Sequence, residues 1–377
     1  MALESAVKTA IVAVSRPGAI LARRLASKLP EAELHLERRL ADETDRETHL
    51  YDLPLRPVLQ SLFVNRDALI VFLPVGAAVR LLAPVFAGKK MDAAVVCVDD
   101  GGHYAVSVLS GHVGGADELA RRVGESIGAQ PIITSASNAL NVTALDLVGR
   151  KLGWRIEASP KNLTRASAAV VNGEPVALWL DPATETSWPD DSPLSDGIVI
   201  VDNPDDATVG GYAAMLIVSD RSLLPEANHP IVIYRPPTLV AGVGCRRGVD
   251  AAHLRELLTN TLQKHGLSRQ SITKIATAEL KADEPGIIEL ADWLGVPLQT
   301  YADNELNATA RREPDPADTA RGLSRPTASA ASDLLGVFGV AEPAAMLAAG
   351  TSGVIVPRTK SDRATIAFAR IPSNLSG

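Results

Sequence analysis

Only two cysteines, Cys97 and Cys245, occur in the 377 residues, far apart and in no ligand spacing. That excludes a disulfide framework and a cysteine-built zinc centre, and it suits a reducing compartment. Aromatic residues are scarce at 4%, so there is no stripe of rings on which nucleic acid bases could stack. Positive charge is short as well: 37 Lys and Arg against 44 Asp and Glu leave a net charge of −7, and such a field repels phosphate backbones and anionic membranes. The longest apolar stretch, 69–79 (LIVFLPVGAAV), contains Pro74 and falls well short of the roughly 20 residues that span a bilayer. The opening MALESAVKTAIVAVSRPG has an acidic residue and no cleavable apolar region. A cytoplasmic protein with neither nucleic acid nor membrane partners is expected.

Apolar residues at 46% and charged residues at 21% are the balance of a chain that buries real cores. At domain sizes of roughly 100 to 150 residues, two or three domains are expected. In the first part, short β-branched runs at 9–15 (TAIVAVS), 68–73 (ALIVFL) and 93–98 (AAVVCV) alternate with helical patterns at about 19–29 and 117–127, and Gly128 stands as a helix stop. This predicts α/β architecture with a mostly parallel sheet. A smaller strand-rich middle module follows, with a helix expected near 142–152 and strands at 168–171, 176–180, 197–201 and 215–218. Arg235-Pro236-Pro237 reads as a linker. A second α/β module then carries a strand at 239–244, a helix at about 250–265, a strand near 272–277, a helix at 285–294 and a strand at 296–301. The expected division is 1–137, 138–237 and 238–377. The segment 303–331, rich in Arg, Asp, Pro, Ser and Ala, is expected to be a long mobile surface loop that proteases cut first.

The most informative segment is 107–119, SVLSGHVGGADEL, a strand that runs into a glycine-rich turn opening a helix. Ser110, Gly111, Gly114 and Gly115 allow close approach, and N–H groups at the helix start can meet an anion. His112 and Glu118 are the proton-transfer candidates of the turn; the duller reading makes the glycines a tight turn and His112 a surface or capping residue. In AGVGCRRGVD the glycines follow a strand, but their G-x-G-x-x-x-G spacing departs from the dinucleotide fingerprint, and calorimetry with NAD(P) or ATP is expected to show no tight binding. Arg246 and Arg247 there suit carboxylates, which a guanidinium fork grips bidentately. Cys245 reads as a packed residue. Lys281 and Glu284, at a strand-to-helix connection, either line a cleft or form a solvated charge cluster.

The order GHVGGADELA resembles the N-terminal signature of the cobalt-precorrin-5A hydrolase family, CbiG. The likeness extends over LPVGAAVRLLAPVFAGKKMDAAVVCVDDGGHYAVSVLSGH and GAQPIITSASN, and resumes in VAGVGCRRGVD, KIATAELKADEPGIIELADWLGVPL, GVFGVAEPAAMLAAG and VIVPRTKSDRATIAFAR. Two positions depart from the family pattern: Asp117 stands where Asn is expected, and Asn138 where Asp is expected.

The resemblance implies an enzyme that opens the ring A δ-lactone of a cobalt-corrinoid substrate and releases C20 as acetaldehyde, giving cobalt-precorrin-5B. It also implies no cofactor and no metal site of the protein's own, because the cobalt belongs to the substrate, and it makes neighbouring precorrin methyltransferases possible partners. His112 or Glu118 would be the base. Gly76, Arg80, Ser110, Gly111, Gly114, Gly115, Gly244, Arg246, Arg247, Lys281 and Glu284 would bind substrate. Arg80 and Arg246, both expected at strand C-terminal ends, would hold peripheral carboxylates across a cleft between the first and third modules. A noncatalytic corrinoid carrier and a nucleotide-dependent enzyme are the rival readings.

Overall fold

Buried β-branched runs build the first sheet. The computed structural model describes residues 7–42, 47–88, 91–222, 228–313, 315–316, 318, 322–324 and 339–372. They fall into two compact units, Met1–Leu147 and Val148–Gly377. In the first unit the strands lie in the order His49–Tyr51, Glu33–Glu37, Thr9–Ala13, Ala68–Phe72, Ala94–Val98, Tyr104–Leu109, Gln130–Ile132. The first five are mutually parallel, Tyr104–Leu109 runs antiparallel to Ala94–Val98, and Gln130–Ile132 is parallel to Tyr104–Leu109. The three central strands Thr9–Ala13, Ala68–Phe72 and Ala94–Val98 are buried along their whole length, as a sheet covered on both faces requires. The reversal at Tyr104–Leu109 puts the C-terminal ends of the last two strands at the opposite end of the sheet from those of the first five.

Helix Ala116–Ile127 forms as its periodicity predicts. It buries Leu119, Ala120, Val123 and Ile127 against the core that holds Ile11, Ile70 and Val96, and Gly128 at φ 82° ends it in the left-handed region.

The second unit holds two five-stranded sheets. One has the order Ile198–Ile200, Val176–Leu180, Ala214–Val218, Ile231–Arg235, Arg155–Glu157, parallel but for the last strand. The other has the order Leu298–Tyr301, Ile272–Ala278, Leu239–Cys245, Ala364–Arg370, Val356–Lys360, in which the first three are parallel and the last two antiparallel to their neighbours. Mixed α/β architecture with mostly parallel sheets therefore stands. Buried polar contacts link the segments of the two sheets: Asp220, fully buried, accepts both Nε and Nη2 of Arg370 at 2.7 and 2.9 Å and the Thr238 hydroxyl at 2.8 Å. Among the described residues no helix is long and apolar enough to cross a membrane.

Four expectations are corrected. Residues 168–171 are not a strand but the end of helix Pro160–Val171, which starts at Ser159, whose hydroxyl accepts the Asn162 amide, and has Pro160 at its first position. The helix expected near 142–152 is absent; only a short 3-10 turn, Arg150–Leu152, forms, bracketed by left-handed Gly149 and Gly153. The Trp154 ring lies where a Cβ on Gly149 would be. The segment expected as a mobile loop over 303–331 opens as helix Asp303–Arg311, with Glu305 accepting the Ala302 amide and Leu306 buried, while 314, 317, 319–321 and 325–331 lie outside the described residues. Arg80 does not sit at a strand end but in the last turn of helix Val75–Leu82.

Gly242 is required by packing. A Cβ there would stand 1.8 Å from the carbonyl oxygen of Ala341, where helix Ala341–Ala349 lies against the strand. Nearby, the buried Glu284 carboxylate accepts the Gly248 amide at 2.6 Å and the Lys281 ammonium at 3.2 Å. The Gly248 bond is the main cause that holds the Glu284 carboxyl below its usual 4.5, with Lys281 and Arg247 adding to it against the opposing effect of burial. A lowered folded-state value contributes stability above the unfolded value, and that stability is lost as pH falls through the folded value. Replacing Glu284 by Ala is expected to cost about 1.5 to 3 kcal/mol near neutral pH. The difference from wild type should shrink as pH falls below 4.5, and denaturant titrations across that range check it.

Candidate active site

A strand, a turn and a helix start place His112. After Tyr104–Leu109 the chain turns through Ser110, a non-glycine residue at φ 55° whose hydroxyl donates to the Asp92 carbonyl at 2.8 Å. Such a backbone is uncommon outside glycine and is often held in place at functional sites. Gly111 is needed because the Asp117 carboxylate lies 2.6 Å from where its Cβ would be; Gly114 packs on Ser110, and Gly115 caps the helix at φ 90°. The amides of Gly115, Ala116 and Asp117 are donated inside the turn to the carbonyls of His112, Ser110 and Gly111. The helix start therefore does not offer those three N–H groups to an anion, contrary to the sequence expectation.

His112 is three-sided. Its Nδ1 meets both Asp146 carboxylate oxygens at 3.1 and 3.2 Å, its Nε2 meets the Ser137 hydroxyl at 2.9 Å, and the Asp117 carboxylate stands 3.8 Å from Nε2. The His112 and Asp146 side chains are 15% and 16% exposed, so the cluster is nearly dry yet open at one edge. Asp117, at 6% exposure, accepts the hydroxyls of Ser107 and Ser135 at 2.7 and 2.9 Å and the Asn138 amide at 3.1 Å. Buried carboxylates require such donors. Glu118, by contrast, is 71% exposed and pairs with Arg121, so the acids around His112 are Asp146 and Asp117. Sequence reasoning assigned no role to Ser137 or Asp146. Ser137 lies inside GAQPIITSASN, where a hydroxyl among small residues carries no local signal, and Asp146 lies in the segment whose pattern suggests a helix.

The two positions expected to depart from the family pattern, Asp117 and Asn138, meet here. Asn138 donates to Asp117, and its own oxygen accepts Arg121 at 2.7 Å. The acid at 117 and the amide at 138 thus meet directly, with Arg121 on the amide oxygen. Gly76, at the start of the helix after Ala68–Phe72, belongs to the other end of the sheet because of the strand reversal. Arg80 is exposed, with its guanidinium 3.2 Å from the Gly76 carbonyl.

In the second unit Gly244 lies in strand Leu239–Cys245, and the exposed Arg246 and Arg247 follow it. Lys281 and Glu284 follow Ile272–Ala278, the parallel neighbour, so this group gathers at two adjacent strand ends, where open α/β sheets place ligands. Burial, the leading influence, pushes the Cys245 thiol up, and Lys281 partly counters it, which disfavours a thiolate there. Elsewhere, among the described residues, Glu33, His35 and His49 bring ligand atoms within 4.8 Å of one another. Arg66 already donates twice to Glu33, at 2.8 and 2.9 Å, and the two imidazoles stack, an arrangement suited to an ion pair rather than a cation.

Three families match the chain: Cobalamin synthesis G N-terminal over 57–138, Cobalamin biosynthesis central region over 143–236, and Cobalamin synthesis G C-terminus over 239–369. A Priestia megaterium protein named cobalt-precorrin-5A hydrolase is 34% identical over 368 residues, 96% of this chain and 95% of that protein. A Salmonella typhimurium protein of the same name is 32% identical, covering 90% of this chain and 91% of its own. Protein CobE of Sinorhizobium sp is 31% identical over 132 residues, 35% of this chain and 79% of that one.

The pair of Asp117 and Asn138 gives a test. Asp117→Asn alone is expected to destabilise the first unit by about 1 to 3 kcal/mol, because three donors lose a charged acceptor. Adding Asn138→Asp, which restores an acid beside Arg121, should recover much of that loss. A double-mutant cycle by chemical denaturation should therefore show coupling of about 0.5 to 3 kcal/mol.

Proposed function

This chain belongs to the CbiG family of cobalt-precorrin-5A hydrolases, and from that premise we propose that it opens the ring A lactone of cobalt-precorrin-5A at His112 and releases C20 as acetaldehyde, giving cobalt-precorrin-5B. It is a hydrolase of cobalamin biosynthesis. The observation that carries the assignment of the site is His112 held between Asp146 and Ser137 on the glycine turn, within the segment that matches the family's N-terminal region.

Asp146, a pure acceptor, calls for a proton on Nδ1, and in the neutral ring of that tautomer the Nε2 lone pair is the one that takes a proton. At the lactone step His112 removes the proton of the attacking hydroxyl, and the nearby carboxylates stabilise the imidazolium that forms. The freed C20 hydroxyl then loses its proton, C20 leaves with its methyl group as acetaldehyde, and the conjugated macrocycle accepts the electron pair. The cobalt is carried by the substrate, and no cofactor of the protein is needed. Val113 and Leu140, exposed apolar residues next to His112 and three positions beyond Ser137, offer surface to a macrocycle face. Arg246 and Arg247 suit its peripheral carboxylates, which a chain of net charge −7 can hold only where basic groups concentrate. Neighbouring precorrin methyltransferases are the natural sources of substrate, and the cytoplasm is the natural location.

The purified chain, given cobalt-precorrin-5A without nucleotide or added metal, is expected to release one acetaldehyde per corrinoid. An unchanged substrate spectrum with no aldehyde trapped overturns the reading, and binding without turnover favours a carrier. His112→Ala should slow turnover by about 10² to 10⁴ fold with affinity little changed. Arg246→Ala should weaken binding by roughly 1 to 3 kcal/mol, measured by spectral titration of the corrinoid.

A further inference from the structure

The hydroxyl of Ser137 occupies the position from which His112 would draw a proton. His112 stands in the turn after Tyr104–Leu109, Ser137 in the short helix Ala136–Leu140 after Gln130–Ile132, and Asp146 further along the same unit. The two strands are parallel neighbours, so their C-terminal ends present His112 and Ser137 side by side. A carboxylate can only accept, so the contacts of Asp146 call for a proton on Nδ1, and in that tautomer of the neutral ring the 2.9 Å contact at Nε2 is a hydrogen bond donated by the Ser137 hydroxyl. Acid, imidazole and hydroxyl are thus linked in the order that activates a serine, an arrangement recognised by geometry rather than by fold or chain order. Ser137 is 8% exposed and His112 15%, which keeps bulk water from the pair while leaving an edge open.

We propose that Ser137 is the nucleophile of lactone opening, with His112 as its base and Asp146 as the residue that positions His112; the proposal rests on the lactone-opening reading above. Ser137 Oγ attacks the lactone carbonyl carbon while its proton passes to His112 Nε2. The acyl C–O bond to C20 breaks, and the C20 oxygen takes the proton back from His112. The ring A acetate is now an ester of Ser137, and the C20 hydroxyl is free. Water, deprotonated by the same nitrogen, attacks that ester, and the proton returns to Ser137 Oγ as the carboxylate departs. No oxidant, reductant or metal enters the balance. The ester step holds the ring A acetate away from the C20 hydroxyl, so the lactone cannot simply re-form before C20 leaves.

The full chain is treated with diisopropyl fluorophosphate and digested, and in parallel it is quenched within milliseconds of mixing with cobalt-precorrin-5A. Phosphorylation of the Ser137 peptide, absent in His112→Ala, is expected, together with a transient adduct on the same peptide. Ser137→Ala should lose roughly 10³ fold or more in kcat with KM nearly unchanged, an effect a merely structural hydroxyl would not produce. Acetaldehyde release by a wild-type chain that is neither phosphorylated nor acylated at Ser137, with Ser137→Ala within about threefold in kcat, overturns the nucleophile and leaves the hydrolase reading standing. A wild-type chain inert toward cobalt-precorrin-5A yet phosphorylated at Ser137 in a His112-dependent way supports the nucleophile and overturns the substrate. Labelling and quench are read on the unsubstituted chain, so they decide the matter even where a variant fails to fold.

Discussion

The first unit's chemistry depends on one buried carboxylate. Asp117 draws in Ser107 from a strand, Ser135 and Asn138 from the segment after the next strand, and lies against Gly111 in the turn between. A carboxylate out of water must be satisfied by donors, and it sits in the first turn of a helix, where the macrodipole favours negative charge. Meeting that requirement gathers the turn and the Ala136–Leu140 segment into one arrangement. His112 and Ser137 are hydrogen-bonded because the loops that bear them are held by the same acid.

The second unit uses the same device on a larger scale. Fully buried Asp220 clasps Arg370, and the almost fully buried Arg235 donates to Glu157 and to the Ser219 carbonyl. Removing one partner of such a pair leaves the other charged and unsolvated, so the pairs specify which segments must meet more than they add stability. The Asp220 pair crosses the boundary that the Pro236-Pro237 dipeptide suggested, and the two sheets lie in one compact unit. The exposed arginines after Leu239–Cys245 stand outside these pairs, at the edge where charge is free to meet a ligand.

Where periodicity and caps agree, the fold was legible in the chain. Leu119, Val123 and Ile127 with Gly128, and the repeat of Leu254, Leu258 and Leu262, gave their helices directly, and in the structure a left-handed Gly266 ends the second. The same signal misled at 168–171, where a small β-branched run hides the end of a helix whose Ser159-Pro160 start was readable. It failed at 142–152, where left-handed Gly149 and Gly153 bracket only a 3-10 turn and the Trp154 ring packs on Gly149, a contact the apolar spacing does not reveal. His112 was found because a glycine turn marks it. Asp146 and Ser137 were not, since their meaning lies in the approach of segments 25 and 34 positions from His112. Gly242 stands in a spacing that departs from the dinucleotide fingerprint, and its actual reason is the backbone of a helix about a hundred residues away in sequence.

The acid and the amide at 117 and 138 also constrain how such a site can change over generations. Moving the acid from one position to the other takes two substitutions, so the chain between them carries either two acids or two amides. Two carboxylates about 3 Å apart in a nearly dry site repel strongly, whereas two amides can still pair and lose only a charged acceptor. The passable order is therefore to lose the acid first and regain it afterwards, and a segment swap that brings in only one of the two positions would leave the pair mismatched.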